Sequence, residues 1–171
     1  MNSPERREGR NANWPDLTLA SIDKEAIDHA RLEWPKYYGD KTHHGFEYSW
    51  ERLRHKFTNR PSFFDLAIWQ ESEGMRILQG LALGKPSNNK THLTINWVER
   101  SFAPTYVRGG ILLPVLACAE EYAKLLGCER VLVKDPVDPA KYERYGYQLY
   151  HLPRAPGTYL CKELRHGEHQ G

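Results

Sequence analysis

The sequence lacks the features that define several large classes of protein. Its three cysteines are odd in number and show no metal-ligand spacing, so neither a disulfide framework nor a cysteine zinc site is indicated. The formal net charge of +2 is too small to imply an obligatory nucleic-acid partner or an anionic membrane. The N-terminus is polar and shows neither a signal peptide nor a membrane span, which predicts a cytoplasmic protein without a membrane partner.

The cysteine and histidine positions give no metal site either. Cys118, Cys128 and Cys161 lie within apolar patterns, which is typical of packed thiols in a reducing compartment. His43 and His44 are adjacent and cannot share one helical face, and no Cys, His and Asp set surrounds them. We therefore expect no bound metal.

The remaining composition is that of one ordinary globular domain, with 40% hydrophobic and 27% charged residues in a chain of 171. Residues 1–14 are polar, without apolar periodicity, and are predicted to be a disordered tail. Residues 15–165 are predicted to form the domain, and residues 166–171 a C-terminal tail.

Periodicity and breakers predict the order of helices and strands. Asp23 can cap a first helix that ends at Pro35, and a second helix is predicted from Phe46 to Thr58. Three strands with turns between them follow, at residues 63–69, 76–83 and 92–99. A helix stopped by Gly127, a strand at residues 130–134, a short helix and two terminal strands complete the chain. For the short helix, Asp138 is predicted to be the cap and Pro139 the first residue.

A glycine turn precedes the long helix. It reads Tyr106-Val107-Arg108-Gly109-Gly110-Ile111, and Leu112 begins the apolar repeat of the helix. Free backbone amides at a helix N-terminus, assisted by the helix dipole, can bind an anion. The turn therefore indicates a site for a phosphorylated cofactor, although a glycine before a helix is also a common structural turn.

The stretch from this turn to Tyr147 resembles the acetyl-CoA-binding core of the GCN5-related N-acetyltransferases (GNAT superfamily). Tyr142-Glu143-Arg144-Tyr145-Gly146-Tyr147 is similar to the family's Tyr-Glu-Lys-x-Gly-Phe motif. The order of helices and strands is similar to that of the family over nearly the whole chain.

The glycine turn is a degenerate form of the family's pyrophosphate loop, Arg/Gln-x-x-Gly-x-Gly/Ala. In one register Val107 takes the place of the Arg or Gln, and Leu112 that of the final small residue. In the other, anchored on Arg108, Ile111 and Leu113 take the two small positions.

The resemblance implies an α+β protein of the α/β/α type, with a GNAT-like mixed, mostly antiparallel central sheet flanked by helices. It also implies an N-acetyltransferase that uses acetyl-CoA as cosubstrate and transfers the acetyl group by direct attack of a small-molecule or peptide amine. Homodimerisation through the terminal strands is a family tendency. The cofactor-binding residues that it implies are Val98, Val107, Arg108, Gly109, Gly110, Ile111, Leu112 and Asp135.

Two residues are the implied catalytic groups. Tyr142 stands where the family places a general acid near the thioester sulfur, and a phenol is protonated at neutral pH. Tyr142 is alternatively a packing aromatic among its tyrosine neighbours. Glu99, at the end of the strand that approaches the glycine turn, is the candidate general base, and a surface glutamate beside Arg100 is the alternative. Backbone N–H groups near Val98 could polarise the thioester carbonyl if the strand bulges or splays there.

A second class of function remains open at the level of sequence. Because the pyrophosphate loop is degenerate, the chain could be a non-catalytic binding or regulatory protein with a GNAT-like fold that no longer binds CoA productively.

Overall fold

The computed structural model describes residues 17–37, 49–102 and 110–165. The predicted tails, the adjacent histidines His43 and His44 and the loop residues Val107, Arg108 and Gly109 lie outside the described residues.

A seven-stranded sheet, in the order β1-β2-β3-β4-β5-β7-β6, forms the centre of the described chain. Only β4 and β5 pair in parallel, and every other neighbouring pair is antiparallel. Together with helices on both faces, this arrangement confirms the predicted fold class. The strands are β1 Leu17–Ala20, β2 Phe64–Ser72, β3 Met75–Pro86, β4 His92–Arg100, β5 Arg130–Lys134, β6 Gln148–Tyr150 and β7 Tyr159–Glu163.

Four α-helices and one 3₁₀ helix are described, and their ends follow local capping chemistry. Asp23 caps α1, since its carboxylate accepts a hydrogen bond of 2.8 Å from the Ala26 N–H. Gly127 follows α3 with φ +80°, a left-handed conformation in which an L side chain would be strained. The helices are α1 Lys24–Leu32, the 3₁₀ helix Trp34–Tyr37, α2 Trp50–Thr58, α3 Leu112–Leu125 and α4 Ala140–Glu143.

The predicted start of the short helix is wrong by one residue. Helix α4 begins at Ala140, Pro139 occupies the cap position, and no side chain caps the helix. The Asp138 carboxylate instead lies 3.9 Å from the Lys141 ammonium. A backbone hydrogen bond from the Lys141 N–H to the Asp138 carbonyl closes the first turn, so side-chain capping is not what positions this helix.

The two larger apolar cores lie on opposite faces of the sheet. On one face α3 packs against alternate residues of the central strands, including Ala82, Leu93 and Ile95. On the other face α1 and α2 cover Leu81 and Leu83. The alternation of side chains along a strand therefore decides which core each residue of β3 and β4 faces.

The three cysteines are buried free thiols, as predicted. No helix in the described part of the chain is long and apolar enough to cross a membrane. Residues 17–37, 49–102 and 110–165 contain no group of three or more His, Cys, Asp or Glu side chains that could hold a metal ion.

Candidate active site

The centre of the sheet opens where β4 and β5 separate. Their parallel pairing begins at His92 and Arg130 and ends at Ile95 and Val133, whereas β4 continues to Arg100. The pairing of β4 with β3 also shifts at this point, because Gly84 pairs with Ile95 and Leu83 with Trp97. Asn96 is therefore the extra residue of a β-bulge, and the remainder of β4 borders a gap.

The backbone of Val98 faces this gap. The Ser101 N–H donates a hydrogen bond of 2.9 Å to the Gln79 carbonyl on β3. In an antiparallel pair, the backbone N–H and C=O groups of every second residue bond to the neighbouring strand, and those of the residues between point away from it. Since Ser101 bonds to β3, Glu99 does so too, and Val98 does not. The Val98 N–H thus points to the side where β5 has diverged, which is the splayed geometry that the sequence prediction required.

Glu99 is buried on the α2 face of the sheet, with only 4% of its surface exposed. Its Oε1 atom accepts a hydrogen bond of 2.8 Å from the indole N–H of Trp50, the first residue of α2. Burial raises the pKa of Glu99 to about 7, although the Trp50 hydrogen bond stabilises the carboxylate and opposes that rise. The alternative interpretation, a surface glutamate, is therefore wrong, while its role as a base stays a prediction.

The N-terminus of α3 lies near the C-terminal end of β4, and no described residue caps it with a side chain. Gly110 has φ +74°, and Ile111 occupies the cap position without a side-chain cap. The first helical hydrogen bond runs from the Val115 N–H to the Ile111 carbonyl at 3.1 Å. The N–H groups of Ile111 and of the next two residues therefore have no acceptor within the helix. Pro114 has no N–H and limits the set to these amides.

The side chain of Ile111 is turned away from the first backbone amides of α3. Ile111 packs directly over Gly80 of β3, so closely that a Cβ on that glycine would collide with it. The bulky side chain thus points into the sheet and away from the amides at the helix end. The Ile111 side chain therefore does not cover the backbone N–H groups of Leu112 and Leu113.

Arg100 is a candidate site residue that sequence reasoning missed. Its Nη1 atom lies 4.0 Å from the position that a Cβ would occupy on Gly110. Arg100 follows Val98 by two residues, so both face α3, and strand alternation could have given this placement once the bulge was known. A guanidinium thus lies beside the amides of the α3 N-terminus.

Tyr142 belongs to the core on the α3 face, the face opposite to Glu99. It is 7% exposed, and its ring meets that of Tyr147 edge to face at 6.1 Å. Burial, followed by the negative charge of Asp138, raises the pKa of Tyr142 to about 12. The packing role is therefore present in the structure, and the role as proton donor stays a prediction.

Asp135 has local partners. Its φ is +48°, its carboxylate accepts a hydrogen bond of 2.8 Å from the Thr158 N–H, and its own N–H donates to the Thr158 carbonyl at 2.7 Å. These bonds join the end of β5 to the start of β7. The structure therefore gives Asp135 a structural contact, and its cofactor role stays a prediction.

No family model and no curated protein sequence matches the chain. Solved structures do match it. Ard1 from Thermoplasma volcanium is 13% identical, with a TM-score of 0.61 over 88% of this chain and 99% of its own. The ribosomal-protein-S18-alanine N-acetyltransferase from Escherichia coli is 14% identical, with a TM-score of 0.56 over 90% of this chain and 97% of its own.

The third comparison is with N-acetylglutamate synthase from Neisseria gonorrhoeae, solved with coenzyme A and N-acetylglutamate. It is 18% identical, with a TM-score of 0.60 over 88% of this chain and 35% of its own, so this chain corresponds to about a third of that protein. The chain thus has the fold of the GCN5-related N-acetyltransferases, and the resemblance inferred from the sequence is confirmed at the level of the fold.

Proposed function

We propose that the chain is an acetyl-CoA-dependent N-acetyltransferase that transfers the acetyl group directly to an amine. The observation that carries this proposal is the gap between β4 and β5, into which the Val98 N–H points. Glu99 lies on one face of the sheet at this gap, and the uncapped N-terminus of α3 lies on the other. The N-acetylglutamate synthase of the same fold, solved with coenzyme A, supports the choice of cosubstrate.

The residues at the α3 N-terminus fit the pyrophosphate of CoA. The amides of Ile111, Leu112 and Leu113 would hold its oxygens, and the Arg100 guanidinium would add a charged donor. When bound, acetyl-CoA supplies an activated acetyl group and accepts the electron pair of the broken C–S bond as a thiolate.

Glu99 would act as the general base. An ammonium group must lose one proton before its nitrogen can form the new N–C bond, and a carboxylate whose acid form has a pKa of about 7 can accept that proton near neutral pH. The second proton would leave the nitrogen as the C–S bond breaks and would pass to the departing thiolate or to water. The Trp50 hydrogen bond fixes the orientation of the Glu99 carboxyl group.

Val98 and Tyr142 would stabilise negative charge on the two sides of the reacting carbon. The Val98 N–H would donate to the carbonyl oxygen of the thioester as charge develops there. Tyr142 would donate to the departing sulfur. With a pKa of about 12, its phenol is more basic than a thiol once ionised, so hydrogen bonding to the sulfur is favoured over complete proton transfer.

Acetyl-CoA binding is tested by thermal stabilisation with a matched pair of variants. A ligand present at a hundred times its Kd should stabilise the protein by about 2.7 kcal/mol. Gly110→Ala and Gly127→Ala place the same methyl group at positive φ, at opposite ends of α3 and without a close neighbour. Both should lower Tm to a similar degree, but only Gly110→Ala should weaken the stabilisation by acetyl-CoA.

Turnover is tested by acetylation of a panel of small amines and peptides, followed as release of CoA thiol. Saturable binding with turnover supports the proposal. The absence of stabilisation by millimolar CoA, acetyl-CoA and longer acyl-CoA would contradict it and would favour a non-catalytic binding protein. Equal loss of stabilisation in both glycine variants would remove the α3 N-terminus from the cofactor site.

A further inference from the structure

A cavity of about 400 Å³ lies at one edge of the sheet, where β1 ends and β2 begins. The segment that joins α2 to β2 forms one wall of this cavity, and the C-terminal half of α3 forms another. We call this space the β1-edge cavity. Its lining includes Arg54 on α2, Phe63 and Asp65 around the start of β2, and Tyr122 and Leu126 around the end of α3.

The β1-edge cavity is separate from the candidate active site. In the sheet it borders β1 and β2, whereas the gap that Val98 faces lies between β4 and β5, beyond β3. Two of its lining residues, Cys118 and Tyr122, lie in the second half of α3, and the amides proposed to bind CoA lie in the first turn of that helix. None of the residues proposed for catalysis or for cofactor binding lines the cavity. A ligand bound there would therefore occupy a second site.

Arg54 gives the β1-edge cavity a cation whose hydrogen bonding is incomplete. Its Nε atom is buried and has no hydrogen-bond partner among the described residues. Ion pairs join many other charged side chains of the described chain, but none of these ion pairs includes Arg54. A buried N–H of a charged group without an acceptor costs free energy, and an anion in the cavity would remove that cost.

Asp65 is the only acidic residue in the lining of the β1-edge cavity. Its Oδ2 atom accepts a hydrogen bond of 2.7 Å from the Ile22 N–H, which joins the segment before α1 to β2. The Asp65 carboxylate thus has a structural contact, and its negative charge would repel a ligand that carries several negative charges. The cavity is therefore complementary to a ligand with one anionic group.

Most of the remaining lining is apolar. Phe64, Leu66 and Tyr122 are buried, and Phe63 and Leu126 are half-buried. Small-molecule sites typically have volumes of about 300–1,000 Å³ and combine an apolar lining with a few polar groups that fix the orientation of the ligand. The β1-edge cavity has this volume and this composition. Its ligand should therefore have an apolar body as well as a charge.

We propose that the β1-edge cavity binds a small amphipathic carboxylate. The carboxylate group would accept hydrogen bonds from the Arg54 guanidinium, whose planar donors match the two oxygens of such a group. The apolar body would pack against Phe63, Tyr122 and Leu126. This assignment does not depend on the proposed acetyltransferase function, because the two sites share no residue.

The test uses three probes with the same apolar chain, which are octanoate, octanamide and octylamine. Their Kd values are measured at neutral pH by NMR titration of the unmodified protein. Octanoate should bind at least about tenfold more tightly than octanamide, because a hydrogen bond to a guanidinium is stronger when the acceptor is charged. Octylamine should bind more weakly than either, since its ammonium group would face Arg54. Saturating acetyl-CoA should leave the Kd for octanoate unchanged within about twofold.

Two matched pairs of variants locate the bound probe. Arg54→Gln should weaken octanoate binding about tenfold and octanamide binding much less, whereas Arg52→Gln removes the same charge from the same helix outside the lining and should change both less than about twofold. Leu126→Trp adds bulk to the lining and should weaken octanoate binding about tenfold. Leu125→Trp, at a neighbouring position that is 72% exposed, should leave the binding of octanoate unchanged. Cooperative urea unfolding checks that each variant is folded.

Several outcomes would overturn the carboxylate assignment. Equal binding of octanoate and octanamide by the unmodified protein, or tighter binding of octylamine, would refute the anion site without reference to any variant. Displacement of octanoate by acetyl-CoA would place the probe in the cofactor site. Equal weakening by the two arginine variants, or by the two leucine variants, would show that the probe does not occupy the β1-edge cavity. No binding of octanoate at millimolar concentration would refute the proposal and leave the acetyltransferase function intact.

Discussion

Replacing Glu99 by glutamine should stabilise the folded protein at alkaline pH. The side chain is buried at 4% exposure, and its pKa is raised from the ordinary value of 4.5 to about 7. Above pH 7 the folded protein must hold a buried carboxylate, whereas the unfolded chain exposes it to water. Glutamine removes this charge and retains an amide oxygen that can accept the Trp50 hydrogen bond.

The sign and the size of this change in stability follow from proton linkage. Between about pH 4.5 and pH 7 the folded state binds the Glu99 proton more strongly than the unfolded state does, so the free energy of unfolding falls as pH rises. The stabilisation of the folded protein by this proton is fully present below pH 4.5 and is lost above pH 7. At about 1.4 kcal/mol for each pKa unit, the loss amounts to roughly 3 kcal/mol.

The assay is urea unfolding of wild type and Glu99→Gln at pH 5 and pH 8. The variant should gain up to about 3 kcal/mol relative to wild type between these two values, because its own stability does not contain this titration. Acetyl transfer by the same variant should fall at least 100-fold in kcat at pH 8 if Glu99 is the base, and the difference from wild type should be much smaller at pH 5, where Glu99 is protonated. A stability difference that is the same at pH 5 and pH 8 would show that Glu99 does not titrate in this range and would refute the reasoning.

Three further substitutions separate catalytic from structural roles. Tyr142→Phe should lower kcat about 100-fold without changing acetyl-CoA affinity. The control, Tyr145→Phe in the same motif, should leave the steady-state kinetics unchanged. Equal kinetics in the two variants would remove Tyr142 from the mechanism. Asp135→Ala should cost about 1 kcal/mol in urea unfolding, because the Thr158 N–H loses its acceptor. If Asp135 also has the predicted cofactor role, the Kd for acetyl-CoA should rise, and a change of less than twofold would refute that role. Trp50→Phe should shift the pH dependence of kcat/KM upward by about one pH unit, because the pKa of Glu99 rises when the indole N–H is lost; an unchanged profile would contradict that coupling.

Interactions between residues that are close in sequence were sufficient to predict most of the helices and their ends. The Asp23 cap, the i, i+3 and i+4 pattern of α3 and the stop at Gly127 each depend on residues within one helical turn, and the structure contains all three. The short helix shows the limit of this reasoning. Asp138-Pro139 is a good start signal, but the backbone bond from Lys141 already closes the turn, and the helix begins one residue later.

The site depends on contacts between distant parts of the sequence, which periodicity does not reveal. Glu99 receives its hydrogen bond from Trp50, 49 residues earlier, and no local pattern connects the two. The packing of Ile111 over Gly80 likewise joins the start of α3 to β3. Both contacts form only after the sheet and its covering helices are assembled, so the sequence allowed Glu99 to be either buried or exposed.

The bulge at Asn96 determines which face of the sheet each of the later residues of β4 points to. Before the bulge, Leu93 and Ile95 face α3. In a regular strand every second residue would continue on that face, and Glu99 would point toward α3 as well. The extra residue reverses the alternation, so that Glu99 reaches Trp50 on the opposite face while Val98 packs toward α3. One inserted backbone position thus opens the gap beside β5 and places the candidate base on the face that α1 and α2 cover.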